Sequence, residues 1–179
     1  MTTTATTTTA TVFVGISVDG FLARRDHTFD FLPQDPEDHG FTEFLASVDA
    51  LVMGRNTFEV VRGMQEWPYG NKRLVVLSSR PLDTGGLRGP VEHMSGTPAE
   101  IVAKLAASGA HHLYVDGGIT IQRFLREGLV DRLVMTRVPV LIGEGIPLFG
   151  ALPRDVRLRH VATRAFPSGL VQSEYAVLR

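Results

Sequence analysis

The 179-residue sequence contains no cysteine. That excludes a disulfide scaffold, thiol catalysis and thiolate metal sites, and is compatible with a reducing compartment. Charge of one sign is also lacking: 18 Lys and Arg against 19 Asp and Glu leave a formal net charge of −1. Both signs are interspersed, so no basic stripe offers the counterion release that drives nucleic-acid binding. A small-molecule ligand, neutral or anionic, fits better. No apolar run approaches the roughly 18 residues needed to cross a bilayer, because charges or glycines interrupt each one. The opening MTTTATTTTAT has neither the basic start nor the apolar segment of a secretory signal. No membrane partner and a cytoplasmic location are therefore expected. The dinucleotide fingerprint GxGxxG after a strand, the phosphate loop GxxxxGK[ST] and the zinc motif HExxH are all absent. Asp26, His27 and Asp30 sit in an irregular loop, and no metal site is expected.

What the sequence does contain is a repeated alternation of short apolar runs, glycine and helical spacing. Its length suits one domain, with a core able to bury roughly 70% of the unfolded surface. A disordered Thr-rich tail is expected over residues 1–10, although a threonine run also favours strand; one domain is expected over 11–179. Residues 12–18 form an apolar, β-branched run that reads as a buried core strand. Residues 19–36 read as an irregular loop with scattered aromatics, folding over something. A helix is expected over 37–48, beginning near Asp35 or Pro36, from the spacing of Phe41, Phe44, Leu45 and Val48. Strand then follows at 50–53 and helix at 55–62, and after them strands at 72–77 and 91–94. Thr97, Pro98 and Glu100 form a capping box with proline at the first helical position, starting a helix that stops at Gly109. A strand at 112–115 and a helix at 119–127 complete the alternation, and the remaining segments at 132–141, 156–166 and 170–178 have strand character. The pattern predicts an α/β fold: a mostly parallel sheet, helices on both faces, and an antiparallel hairpin at the C-terminal edge.

Three of the predicted strands end in similar chemistry: Gly54-Arg55-Asn56-Thr57, Leu77-Ser78-Ser79-Arg80 and Val115-Asp116-Gly117-Gly118-Ile119-Thr120. Ligands of parallel sheets bind beyond the carboxyl ends of the strands, so these loops are expected to line one crevice. Arg55 and Arg80 offer forked, charge-assisted bonds to phosphate, Ser78, Ser79 and Thr57 offer hydroxyls, and the helix starts offer backbone N–H groups. Taken singly, each glycine could serve tight packing and each arginine a solvated surface. Repetition at three strand ends favours a phosphate-binding site.

These segments resemble the dihydrofolate reductase-like superfamily, in the branch of the riboflavin-biosynthesis deaminase–reductase C-terminal domain. The resemblance rests on SVDGFLARRD, VMGRNTFE, VLSSRP and YVDGGITIQRFLREGLVDRLVMTRVPVLIGEGIPLF, and runs from about Val12 to the C-terminus. It implies a dihydrofolate reductase-like fold and NADPH as cofactor. Residues 54–57 would then lie at the pyrophosphate, Ser78, Ser79 and Arg80 at the adenosine 2′-phosphate, and residues 115–120 around the diphosphate. Ile16 and the loop of Asp19, Gly20, Phe21 and Leu22 would face the nicotinamide. Asp19 and Asp116 match acidic positions of such reductases and are the candidate proton donors; each also has a plainer reading, as a turn residue and as a brace for the glycine turn. Thr136 matches a substrate-side threonine. The implied activity is NADPH-dependent reduction of a small pyrimidine, pterin or ribityl-type substrate. Two alternatives stand beside it: a non-enzymatic nucleotide-binding protein that keeps the fold, and a genuine dihydrofolate reductase. Relatives also suggest a homodimer, through residues 138–142 and 147–149, although the same residues could serve only an edge hairpin.

Overall fold

The computed structural model describes residues 7–33, 37–87 and 89–179. In chain order its elements are β1 (Thr9–Ser17), β2 (Phe21–Ala23), α1 (Phe41–Ser47), β3 (Ala50–Gly54), α2 (Arg55–Arg62), β4 (Arg73–Leu77) and β5 (Val91–Met94). There follow α3 (Pro98–Ala107), β6 (His112–Asp116), α4 (Gly118–Arg126), β7 (Arg132–Val138), β8 (Ile146–Pro147), β9 (Leu158–Ala165) and β10 (Val171–Val177). Eight strands form one sheet in the order β5-β4-β3-β6-β1-β7-β10-β9, and β2 pairs with β8 in a separate two-stranded ribbon. From β5 across to β7 every pairing is parallel; β10 then runs antiparallel to both β7 and β9.

The period-two alternation of a strand splits each buried run between two faces. Ala50 and Val52 pack with Ile101 and Leu105 of α3 and with Ile121 and Phe124 of α4. Leu51 and Met53, one residue out of phase, pack with Phe58 and Val61 of α2, and Phe41 and Phe44 of α1 join them. Helices therefore cover both faces, as the alternation predicts. Phe58 and Phe124 are fully enclosed, each contributing on the order of 2–3 kcal/mol by leaving water. The capping box at Thr97 is present, with Thr97 Oγ accepting from the Glu100 N–H and Glu100 reaching back to the Thr97 N–H.

Three expectations are corrected. Strand β1 begins at Thr9 rather than beyond residue 10, because the Thr9 N–H donates to His111 O at 2.9 Å and the Thr8 hydroxyl donates to Ala110 O at 2.9 Å. Only residues 1–6 of the expected tail lie outside the described residues. Helix α1 is shorter than 37–48, since His39 and Gly40 take φ of 52° and 85°, which a right-handed helix cannot contain. The start suggested at Asp35 or Pro36 lies outside the described residues. Lastly, the loop after β1 is not wholly irregular: β2 forms there and pairs antiparallel with β8 through two residue pairs, a match too short to show in sequence period.

That ribbon joins the loops following β1 and β7 into a flap beside the carboxyl edge of the sheet. The Leu148 N–H donates to Gly20 O at 3.0 Å, and the Asp19 carboxylate accepts from the N–H groups of Ile142 at 3.3 Å and Gly143 at 2.8 Å.

Candidate active site

Strands β3, β4 and β6 are parallel neighbours whose ends are level: Gly54 stands opposite Leu77, and Met53 opposite Asp116. Register alone thus carries the three glycine- and hydroxyl-bearing ends to one place. There they line a single cleft of about 430 Å³ with Gly54, Arg55, Asn56 and Thr57, Leu77 to Arg80, and Gly117 to Thr120 on its walls. Arg25, His27, Arg123 and Ile146 complete it. Four guanidinium groups line this cleft and, among the described residues, no carboxylate does.

Its geometry is fixed locally. Gly117, at φ 90°, leaves β6 and caps α4, and Thr57 Oγ1 stands where a Gly117 side chain would begin. Reciprocally, a Cβ on Gly54 would stand 3.1 Å from Thr120 Oγ1. The two strand–helix turns therefore interlock through a glycine on one and a threonine on the other. Arg55 is oriented before any ligand arrives, donating from Nη1 to Ser78 Oγ at 3.1 Å and from Nη2 to Pro81 O at 3.0 Å. Ser78 Oγ also accepts from the Arg80 N–H at 3.1 Å. The Arg80 guanidinium is exposed, and no described residue pairs with it.

Beside the cleft opens an apolar chamber of about 290 Å³. It shares His27, Thr57, Gly117, Gly118 and Ile146 with the cleft, and Phe13, Leu22, Leu32, Val60, Met64 and Pro68 supply its apolar wall. Among the described residues one carboxylate, Asp116, lines it together with the Tyr69 and Tyr114 rings. Burial pushes the Asp116 pKa up from 3.8 to about 6, against the lowering influence of the Gly117 N–H and of the Tyr114 and Tyr69 hydroxyls. The Gly117 N–H donates to Asp116 Oδ1 at 2.8 Å. Both buried tyrosines are in turn pushed well above the usual phenol range, by burial first and then by the Asp116 charge.

A third recess, of about 320 Å³, shares Phe13, Val14, Gly15, Leu32, Phe41 and Tyr114 with the chamber and adds Glu37, Asp38, His39 and Thr136. Thr136 is buried on β7, and its Oγ1 accepts from Gln172 Nε2 at 3.0 Å.

Not every residue singled out from the sequence meets the site. Ile16 and Val115 are core residues, 2% and 0% exposed, because the inner faces of parallel strands are covered by helices. Gly20, at φ 89°, makes the turn after β1, and Phe21 pairs with Pro147 in the ribbon; neither lines the cavities. Leu22, from the same loop, does line the chamber. Asp19 lines none of the three and is exposed, with its carboxylate turned to the flap. The Ser17 hydroxyl, then the N–H groups of Gly143 and Ile142, hold it below the usual carboxylate range. In this position the carboxylate braces the loops that follow β1 and β7. Arg25, His27, Tyr69 and Arg123 were not legible as site residues. Arg123 could have been found, since it lies one turn beyond Ile119 on a helix that starts at the site; Tyr69 follows a stretch without periodicity.

Comparison with known proteins agrees with this architecture. The structure of a putative riboflavin biosynthesis protein from Shewanella sp. PV-4 is similar to the chain with a TM-score of 0.89 and 37% identity, over 96% of this chain and 99% of that one. The diaminohydroxyphosphoribosylaminopyrimidine deaminase/5-amino-6-(5-phosphoribosylamino)uracil reductase of Thermotoga maritima gives a TM-score of 0.77 at 14% identity. The match covers 96% of this chain and 57% of that protein's length. Dihydrofolate reductase from Enterococcus faecalis, solved with NADP(H), gives 0.66 at 19% identity over 96% and 97% of the two chains. The last two likenesses establish a dihydrofolate reductase-like fold. Residues 8–172 match the family model of the RibD C-terminal domain, and the chain belongs to that family.

Proposed function

We propose that the protein is an NADPH-dependent reductase of a small heterocyclic substrate, a pyrimidine, pterin or ribityl-type compound. One observation carries this reading: a guanidinium-lined cleft built from three strand ends opens directly into an apolar chamber that holds a single carboxylate. The donor set suits the coenzyme. A 2′-phosphate calls for an arginine with hydroxyl neighbours, which Arg80, Ser79 and Ser78 supply. A diphosphate calls for backbone N–H groups at helix starts and for backbone free of Cβ, which Gly117 and Gly118 at the start of α4 and Gly54 before α2 supply. Arg55 and Arg123 add charge beside them.

NADPH, when bound, supplies a hydride from its nicotinamide ring. The chain's own residues orient, exclude water and manage a proton. Leu22, Leu32, Val60 and Ile146 wall the chamber, and Thr57, Gly117 and Gly118 set the passage between the two spaces. Asp116, with a pKa of about 6, keeps an appreciable protonated fraction near neutrality. Its O–H donates to the substrate nitrogen or oxygen that gains the electron pair when the adjacent carbon accepts the hydride. The hydride brings both electrons and one hydrogen, Asp116 brings the second hydrogen as a proton, and the carboxylate regains its proton from solvent.

The reading includes a cytoplasmic homodimer. No helix among the described residues is long and apolar enough to cross a membrane. Val138 and Leu148 are buried within the chain, so a face made of residues 138–142 and 147–149 is incomplete. Edge strand β9, exposed at all 8 positions, is the better dimer contact, and sedimentation of wild type against a Val161→Asp variant tests it.

The function itself is tested by following nicotinamide absorbance with pyrimidine, pterin and ribityl-type acceptors. Loss of absorbance with at least one acceptor, dependent on Asp116, is expected. Coenzyme binding without oxidation by any of them would reject the reductase in favour of a nucleotide-binding protein.

A further inference from the structure

The cleft, the chamber and the recess form one trough, because each shares wall residues with the next, and charge reverses along it. At one end stand Arg25, Arg55, Arg80 and Arg123. At the other stand the carboxylates of Glu37 and Asp38, and Thr136 of β7 lines the same recess. In the middle is Asp116. Among the described residues, no Lys or Arg lines either the chamber or the recess.

Two arginines beside these cavities are engaged. Arg164 Nη2 lies 3.3 Å from Glu37 Oε1, and its guanidinium stacks 4.5 Å from the centre of the Phe166 ring. Arg24 pairs with Asp30 at 2.5 Å. Asp38 is held at the recess wall because its Oδ1 accepts from the Thr42 N–H at 2.8 Å. A phosphate entering the recess would meet Asp38, Glu37 with its Arg164 partner, and no lining Lys or Arg, and a dianion close to like charge is repelled even through a solvent-like dielectric. A neutral ring carrying N–H donors, or a protonated amino-heterocycle, meets acceptors instead. The Thr136 hydroxyl, which accepts from Gln172, still has its own proton to give to a ring carbonyl or ring nitrogen.

Resting on the reductase reading, we infer that the substrate of this protein carries no phosphate: it is a neutral or cationic planar heterocycle whose ring lies in the chamber and whose hydrogen-bond donors reach Glu37 and Asp38. The site thereby differs in selectivity from the Thermotoga maritima neighbour, which is named for a phosphoribosylamino-uracil. Phosphate recognition in this chain is concentrated at the coenzyme end of the trough.

Calorimetry on the full chain saturated with NADP⁺ tests the inference with three probes: uridine, uridine 5′-monophosphate and 2,4-diaminopyrimidine. Uridine or 2,4-diaminopyrimidine should bind at least about tenfold more tightly than the nucleotide, and the gap should narrow as salt rises. Glu37→Gln with Asp38→Asn should narrow it too, by improving nucleotide binding. Nucleotide binding equal to or tighter than that of uridine, above all if Arg164→Ala abolishes it, would overturn the inference. So would a coenzyme-saturated protein that takes up none of the three probes. Failure of NADP⁺ itself to bind, read in the first titration, would instead remove the reductase reading on which the inference stands, and both would fall together.

Discussion

The Thr57 hydroxyl fills the space into which a side chain on Gly117 would project, so the first turn of α2 and the end of β6 fit only while residue 117 is glycine. Two separate costs attend Gly117→Ala. The backbone at φ 90° and ψ 134° disfavours any L side chain, by roughly 1–3 kcal/mol, and the methyl group must displace Thr57 from the cleft. We expect a lower urea midpoint at unchanged slope and coenzyme affinity reduced at least tenfold. Wild-type affinity in a folded Gly117→Ala variant would show that this turn is remote from the coenzyme.

Asp116 gives a pH signature in both stability and rate. Its folded pKa of about 6 lies above the ordinary 3.8, so burial favours the protonated form. The associated stability is fully present below about pH 4 and is lost as pH rises through 6, amounting to roughly 3 kcal/mol. Asp116→Asn, which carries no charge at any pH, should therefore gain stability relative to wild type between pH 4 and 7 and level off above. In the same variant the reductase rate should fall by about 10²–10³-fold, and the decline of the wild-type rate above pH 6 should flatten. A wild-type pH profile in Asp116→Asn would remove Asp116 as the proton source.

Asp19 separates bracing from chemistry. Its carboxylate ties the flap through Ile142 and Gly143, so Asp19→Ala should accelerate amide exchange at those two residues and raise KM. The shape of the pH–rate profile should stay as in wild type, because Asp116 is untouched. A lost acidic or basic limb in Asp19→Ala would restore it as a catalytic candidate.

Much of this architecture was legible in the residues themselves. Helix α2 and strand β5 fall on the bounds their spacing predicts, and the Thr97 box marks the start of α3 where capping chemistry requires. The gathering of Arg55, Ser78 and Gly117 followed from one rule about parallel strand ends, and the register supplied it. What stayed hidden depends on long-range pairing or on backbone conformation. Strand β2 exists because of β8, more than a hundred residues later, and nothing local marks it. His39 takes a left-handed φ of 52°, which truncates α1 although the apolar spacing there reads as helical. The surroundings of Asp19 and Asp116 were indistinguishable by type, since both precede glycine at a strand end. Asp19 is exposed and Asp116 lines the chamber, a difference that only the tertiary structure makes.

Arg80 carries the most direct test of the account. On the proposed reading its exposed guanidinium and the neighbouring Ser78 and Ser79 hold the 2′-phosphate that distinguishes NADPH from NADH. Calorimetric titration of both coenzymes into wild type and Arg80→Ala should give one NADPH bound per chain, with a preference over NADH. In the variant NADPH affinity should fall about 10–100-fold, the worth of one or two charge-assisted hydrogen bonds, while NADH affinity stays the same. Equal affinity of wild type for the two coenzymes, or no uptake of either, would contradict the account.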